Sequence, residues 1–431
     1  MPTTILSYAA LLFGLMIIGV PVGFSIGLAS LILLLIDSGF NANYAILIQR
    51  MFNGVDSFPL LAVPLFMLAG NLMNTAGITR RIFGFATALV GHFRLGLGQV
   101  NVVASMIFAG MSGAAVADAA GLGPIEMKAM LDAKYDRGYS AAITAASSTI
   151  GPIIPPSIPL VIYGIMAEAS IGRLLIGGII PGCIIGGCLM VMNNLFARRR
   201  GYPKGNFVGM RELWRSFKQA FFPLLTPVIL VGGMLSGVFT PTEAAAVAVF
   251  YAFFLGYFVY REITLKDLLQ LVKNSMRGTA EIMFIVAAAC AFAYMVISAQ
   301  IPVQMVDAIT TISKNPWVIL FIINIILLII GCFMEPVAAI TIVVPVLMPL
   351  VRAVGIDPVH FGLVVVYNLV IGLLTPPVGL VLFVTSKVAE ISVEDLVREL
   401  LPFFVPLLAA LFLITYIPSL VTFLPNLLMG K

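Results

Sequence analysis

Charge is the scarcest commodity in this sequence. Of 431 residues only 10% are Asp, Glu, Lys or Arg, while 61% are hydrophobic, against about a quarter charged in an ordinary soluble domain. Too few charges remain to clothe a soluble surface, and a mean hydropathy of +1.10 points to a polytopic membrane protein of about ten passes. Histidine is nearly absent: His92 and His360 stand far apart and no His-Glu-x-x-His pattern occurs, which excludes that zinc-hydrolase chemistry. The four cysteines (Cys183, Cys188, Cys290, Cys332) lie in apolar segments at spacings that match no zinc or redox motif, and read as small core residues. No Gly-x-x-x-x-Gly-Lys-Ser/Thr loop is present, so the chain carries no phosphate-loop motor. A basic n-region is also lacking at the start, and the first apolar segment is expected to be retained rather than cleaved.

What the chain has in abundance, for a membrane protein, is proline in the wrong place. Residues 151–159 read Gly-Pro-Ile-Ile-Pro-Pro-Ser-Ile-Pro inside an otherwise apolar stretch. Pro152, Pro155, Pro156 and Pro159 have no N–H, and their rings clash one turn back, so no helix runs through them intact. A helix broken at mid-membrane frees polar backbone groups, which hydrocarbon tolerates only when they are buried in protein or line a wet cavity. Secondary transporters hold substrates and ions at such breaks.

The break has a second copy. Gly151, Pro155 and Pro156 recur in the second half as Gly372, Pro376 and Pro377, and Gly110 recurs at the identical offset as Gly331. Ala167-Glu-Ala-Ser170 returns as Ala389-Glu-Ile-Ser392, and the glycines of 14–20 are echoed at 232–238. Matches in one order at nearly constant offset predict two copies of one unit, residues 4–198 and 222–425, joined by a cytoplasmic linker over 199–221. In each copy two apolar arms, too short to cross comfortably, meet at a polar tip. These are expected re-entrant hairpins, 97–131 opening to the cytoplasm and 317–352 to the periplasm. Residues 5–37 are either two short passes or one long tilted helix, 37–57 a polar loop, and 78–93 an amphipathic interfacial helix. With the first hairpin opening inside, 19 Lys and Arg fall on the cytoplasmic side and 5 outside, as the positive-inside rule requires. That distribution accounts for the net charge of +5 without a nucleic-acid partner; membrane lipid is the expected surrounding. The fold expected is thus an all-α polytopic membrane protein, an inverted repeat with two re-entrant hairpins and two broken helices.

Such a repeat sets two hairpin tips and two breaks near the midplane, where half-helix ends and exposed carbonyls hold ions. Oxygen ligands suit Na⁺ as they suit other hard cations. The candidates for one ion are Ser112, Gly113, Ser148, Gly151 and Pro155; for a second, Gly331, Met334, Gly372, Thr375 and Pro376. Ser112 and Ser157 offer hydroxyls to a carboxylate substrate, and Asp118 and Glu335 are the intramembrane acids most suited to an ion pathway or substrate site. Glu243, after Thr240-Pro-Thr242, reads as a first-turn cap, and Glu281 as a surface partner of Arg277.

The run from Ala145 to Gly164, AASSTIGPIIPPSIPLVIYG, resembles the signature of the large membrane subunit of TRAP transporters, the DctM-like permease family. So do MSGAAVAD at 111–118, FTPTEAAA at 239–246, GIDPVHFG at 355–362 and LTPPVG at 374–379; the likeness spans essentially the whole chain. Where many members carry Asp-Pro at the second tip, this chain has Glu335-Pro336, one methylene longer. The resemblance implies an ion-transporter-superfamily fold working as an elevator in the bacterial inner membrane. It implies a small four-helix membrane subunit and a periplasmic solute-binding protein as partners. It also implies Na⁺ as coupling ion without other cofactors, and an organic acid, a C4-dicarboxylate or a sugar acid, as cargo. The competing readings are a stand-alone Na⁺/dicarboxylate symporter of the same superfamily and an intramembrane enzyme using Asp118 and Glu335.

Overall fold

The computed structural model describes residues 2–38, 43–93, 95–200 and 209–430. Arg94, Lys204 and Lys431 of the charge count, and 201–208 of the linker, lie outside them. Among the described residues every regular element is a helix. Seven of these helices are long and apolar enough to cross a bilayer unaided.

The first apolar block is two helices, Pro2–Ile17 and Val22–Ser38, which pack on each other. Gly19 takes φ +92° between them and Pro21 follows, a combination that ends one helix and lets the next begin. The expected polar loop over 37–57 is corrected. Tyr44–Val55 is a helix, capped by the Asn43 side chain accepting from the Ala45 amide at 3.2 Å. Its inward face, Leu47 followed by Met51 and Gly54, repeats at i, i+4, i+7 and packs on the long helix Leu265–Ser298. A short apolar stripe among polar neighbours carries that signal. Ile78–Val90 is the amphipathic helix expected, with Ile78, Ile82, Ala86 and Val90 buried and Arg80 exposed. It lies against Gly96–Ser112 and Met210–Leu235.

Gly96–Ser112 and Ala115–Gly121 meet at a 120° bend, and the returning arm continues as Gly123–Asp132. Gly113 turns the corner at φ +67°. The proline-rich stretch interrupts a helix as expected, leaving Arg137–Ser148 and Ile158–Ala167 on either side. Pro316–Gly331 and Pro336–Ala353 flank the second tip, and Pro358–Gly372 and Leu380–Ala389 flank the second break. Met210 opens a 26-residue helix, so the last residues before 222 are helical.

These pieces interlock across the chain. Ile158–Ala167 packs on Pro336–Ala353, and Leu380–Ala389 packs on Ala115–Gly121 and on Arg137–Ser148. Each outer half-helix ends in a left-handed glutamate, Glu168 and Glu390, both at φ 55°. The freed carbonyls there accept from arginines of the opposite half: Arg352 Nη2 donates to Ala167 O at 3.1 Å, and Arg137 Nη1 to Ala389 O at 3.5 Å. A cation at a helix C-terminus offsets the negative end of the dipole, so the two halves cap each other. Thr240 and Glu243 form the capping box expected for Glu243, with Glu243 Oε2 accepting from the Thr240 amide at 2.8 Å. Glu281 makes no ion pair with Arg277 among the described residues.

Candidate functional site

The first tip closes on the first break. Ser112 ends the first arm, and its hydroxyl donates to Asp118 Oδ1 one turn into the returning arm. Asp118 is 2% exposed, and its other oxygen, Oδ2, has no hydrogen-bond partner. That oxygen faces Gly151: a Cβ there would stand 2.5 Å from Oδ2 and 3.1 Å from Cγ. Any larger residue at 151 would have to displace the Asp118 carboxylate. Gly113 lies as close to the break, a Cβ on it clashing with the Pro156 carbonyl and standing 3.4 Å from Ser157 Cα. Ser112, Gly113, Asp118, Gly151 and the 155–157 backbone thus form one buried cluster.

Two expected ligands are committed otherwise. Ser148 donates its hydroxyl to Ala145 O at 2.8 Å, while its carbonyl accepts from the Gly151 amide at 3.1 Å. Ser157 is the N-cap of Ile158–Ala167: its hydroxyl accepts from the Leu160 amide at 3.2 Å and donates to Pro152 O. Ser157→Ala is expected to lower stability by about 1 kcal/mol, read as a fall in melting temperature, with the apparent substrate affinity unchanged. A selective affinity loss would return Ser157 to the ligand set.

The second tip and break also meet, backbone to backbone. Gly331 and Gly372 touch so closely that a Cβ on Gly331 would stand 3.1 Å from Gly372 Cα. The Val378 amide donates to Cys332 O at 3.3 Å. Thr375 donates back to Ile371 O at 3.2 Å, and Met334, at the tip, is 3% exposed. Glu335 is the N-cap of Pro336–Ala353, its Oε2 accepting from the amides of Val337 at 2.9 Å and Ala338 at 3.3 Å. Both breaks contain a cis proline pair, Pro155–Pro156 and Pro376–Pro377. They differ in exposure: the first is buried, whereas Pro376, Pro377 and Val378 are exposed. Val378 borders a cleft of about 800 Å³ walled by Phe13, Met16, Val20, Ile330 and Phe333.

Chemically, the first cluster presents an unpartnered carboxylate oxygen beside a hydroxyl, enclosed in protein, with no Lys, Arg or His bonded to it among the described residues. A buried carboxylate needs a compensating charge or a proton, and oxygen donors suit a hard cation.

One group went unread in the sequence. Glu126, 1% exposed, sits with Asn101, Ser105, Thr144 and Ser147 in a buried polar network between the first hairpin and the first broken helix. The signal was available: Asn101 and Asn324 are amides inside the apolar helices Gly96–Ser112 and Pro316–Gly331, and Ser147 and Asn368 stand at the same sequence separation as Gly151 and Gly372.

The family model for the DctM component of the tripartite ATP-independent periplasmic transporter matches residues 9–420. The sialic acid TRAP transporter large permease protein SiaM of Vibrio cholerae is 47% identical over 417 residues, covering 97% of each chain. The C4-dicarboxylate TRAP transporter large permease protein DctM of the same organism is 38% identical over 441 residues, again covering 97% of each. Among solved structures, the YdaH transporter of Alcanivorax borkumensis has a similar fold, with a TM-score of 0.65, 14% identity and 89% of each chain covered.

Proposed function

The chain belongs to the DctM component family of tripartite ATP-independent periplasmic transporters, and from that premise we propose that it is the membrane permease for Na⁺-coupled uptake of an organic acid. It is a transporter subunit, not an enzyme, and a multi-pass protein of the bacterial inner membrane. The observation that carries the sodium reading is the Ser112–Asp118 pair closed over Gly151, with one carboxylate oxygen unsatisfied. Ser112 Oγ, Asp118 Oδ2 and carbonyls of the first break are the ligands proposed for one ion. The carbonyls about Gly331, Gly372 and Pro376, with the Thr375 hydroxyl and Met334, are those proposed for a second.

The two halves act as an inverted repeat, each tip facing one side, and the hairpins with their broken helices move together against the remaining helices. Reciprocal packing of each outer half-helix on the opposite hairpin, and the crossed arginine caps, support a common moving body. The substrate binds beside the tips, with Ser112, Asp118 and Glu335 nearest to it, while Ser157 holds the break open as a cap. A small membrane subunit and a periplasmic binding protein complete the system. The higher identity to a sialic acid permease than to a C4-dicarboxylate one supports a sugar acid as the first cargo to test.

The test is uptake of labelled sialic acid and succinate into proteoliposomes holding this chain, its small subunit and its binding protein. Accumulation driven by an inward Na⁺ gradient, and lost when choline replaces Na⁺, is expected. Uptake indifferent to Na⁺ overturns the coupling. Full uptake without any binding protein favours the stand-alone symporter instead.

A further inference from the structure

Glu126 lies on the returning arm of the first hairpin, well below the tip, and its surroundings can be counted atom by atom. The Asn101 amide donates both its hydrogens, one to Glu126 Oε2 at 2.6 Å and the other to Thr144 Oγ1 at 2.8 Å. Asn101 Oδ1 accepts from Ser147 Oγ at 2.7 Å, and Ser147 Oγ accepts from Ser105 at 3.0 Å. The carboxyl therefore receives one donor, and Oε1 receives none.

Among the described residues no cation compensates it. The arm carrying Glu126 packs against Gly96–Ser112, Ala115–Gly121, Arg137–Ser148 and Leu380–Ala389. Among their described residues the buried titratable groups are Asp118, itself an acid, and Tyr139, whose hydroxyl donates to Asn193 Oδ1 at 3.1 Å. Arg137 and Lys387 are exposed, as are Lys128 and Asp132 on Glu126's own helix. A buried carboxylate with one hydrogen bond and no counter-charge is costly, whereas the neutral acid in the same place leaves only one unpartnered hydroxyl and costs far less.

The second half shows the same latch without an acid. Asn368 donates to Asn324 Oδ1 at 2.8 Å, and Asn324 donates to Thr415 Oγ1 at 3.1 Å. The repeat offset that carries Gly151 onto Gly372 carries Glu126 onto the buried Leu347. An amide bridge between hairpin arm and broken helix is thus common to both halves, and the carboxyl is added to one.

We propose that Glu126 is a proton-binding site whose neutral, protonated carboxyl latches the two arms of the first hairpin to each other and, through Asn101, to the first broken helix. Loss of that proton leaves an uncompensated charge inside the latch and loosens the hairpin on which Asp118 sits. Glu126 is a positioning residue, not a ligand of cargo or Na⁺. Its glutamine isostere keeps the neutral shape and the acceptor for Asn101.

Infrared spectroscopy of the purified full chain reads the proton without any transport assay. A protonated-carboxyl C=O band at neutral pH, present in the Asp118→Asn protein, absent from Glu126→Gln and disappearing as pH rises, is expected; a wild-type spectrum with no such band attributable to Glu126 overturns the proposal. Uptake, the arm that rests on the transporter reading, adds a pH profile. Wild type loses uptake on the alkaline side, Glu126→Gln keeps near wild-type uptake with a flat profile, and Glu126→Ala falls about tenfold because Asn101 loses its acceptor. A folded Glu126→Gln protein that keeps the wild-type pH profile, or is as defective as Glu126→Ala, also overturns it.

Discussion

Asp118→Asn is expected to abolish Na⁺-dependent uptake while leaving the protein folded. Asparagine is isosteric, and its carbonyl oxygen still accepts from the Ser112 hydroxyl across the tip. What disappears is the ionisable oxygen facing Gly151, and with it the negative charge proposed to hold Na⁺. Removing one member of a buried charge pair costs about 3–5 kcal/mol, more than a hundredfold in ion affinity, because the second charge is left without compensation. The measurement is the Na⁺ concentration for half-maximal uptake, alongside a melting curve. A normal melt with an unaltered Na⁺ requirement would remove Asp118 from the ion site. Ser112→Ala, which withdraws a neutral hydroxyl, is expected to raise that requirement more modestly.

The second large effect concerns folding. Gly372→Ala is expected to destabilise the protein by about 3 kcal/mol or more, the upper end for an overpacked core. The new methyl would stand 2.5 Å from Gly331 Cα and 2.6 Å from Gly331 O. Both are backbone atoms, so no side-chain rotation relieves the clash and the helix Pro316–Gly331 must shift as a body. Gly331→Ala is expected to be milder, with 3.1 Å to Gly372 Cα and to Leu369 O. Gly187, on an exposed helix face with nothing within 4 Å of its would-be Cβ, is the control. There alanine is expected to be neutral or stabilising by about 0.5–1 kcal/mol. Yield of monodisperse protein and melting temperature separate the three, and a Gly372→Ala protein as stable as Gly187→Ala would show the two helices are not locked together.

Much of the site was legible because it depends on local chemistry. Proline lacks an N–H wherever it stands, so the breaks over 151–159 and 372–378 were readable without any contact being known. Ser157 carries a local role beside the expected one: a serine before Ile-Pro at a helix start is a cap by local rule, whatever its position near a site. Glu335 follows the same rule, its carboxylate turned to the amides of Val337 and Ala338. The helix Tyr44–Val55 was lost among polar neighbours because its inward stripe is so short.

Composition, hydropathy and proline placement by themselves determined that the chain lives in a membrane and where its helices break, since each follows from bonds and solvation within a few residues. Only the tertiary structure decided which polar atoms are left unsatisfied. The free Asp118 oxygen against Gly151, the single donor to Glu126, and the Gly331–Gly372 contact each join one helix to another well separated from it along the chain. The crossed arginine caps reach further still, from one half of the chain to the other. Burial makes or cancels a charge's cost according to what the rest of the chain brings beside it, and no local spacing records that.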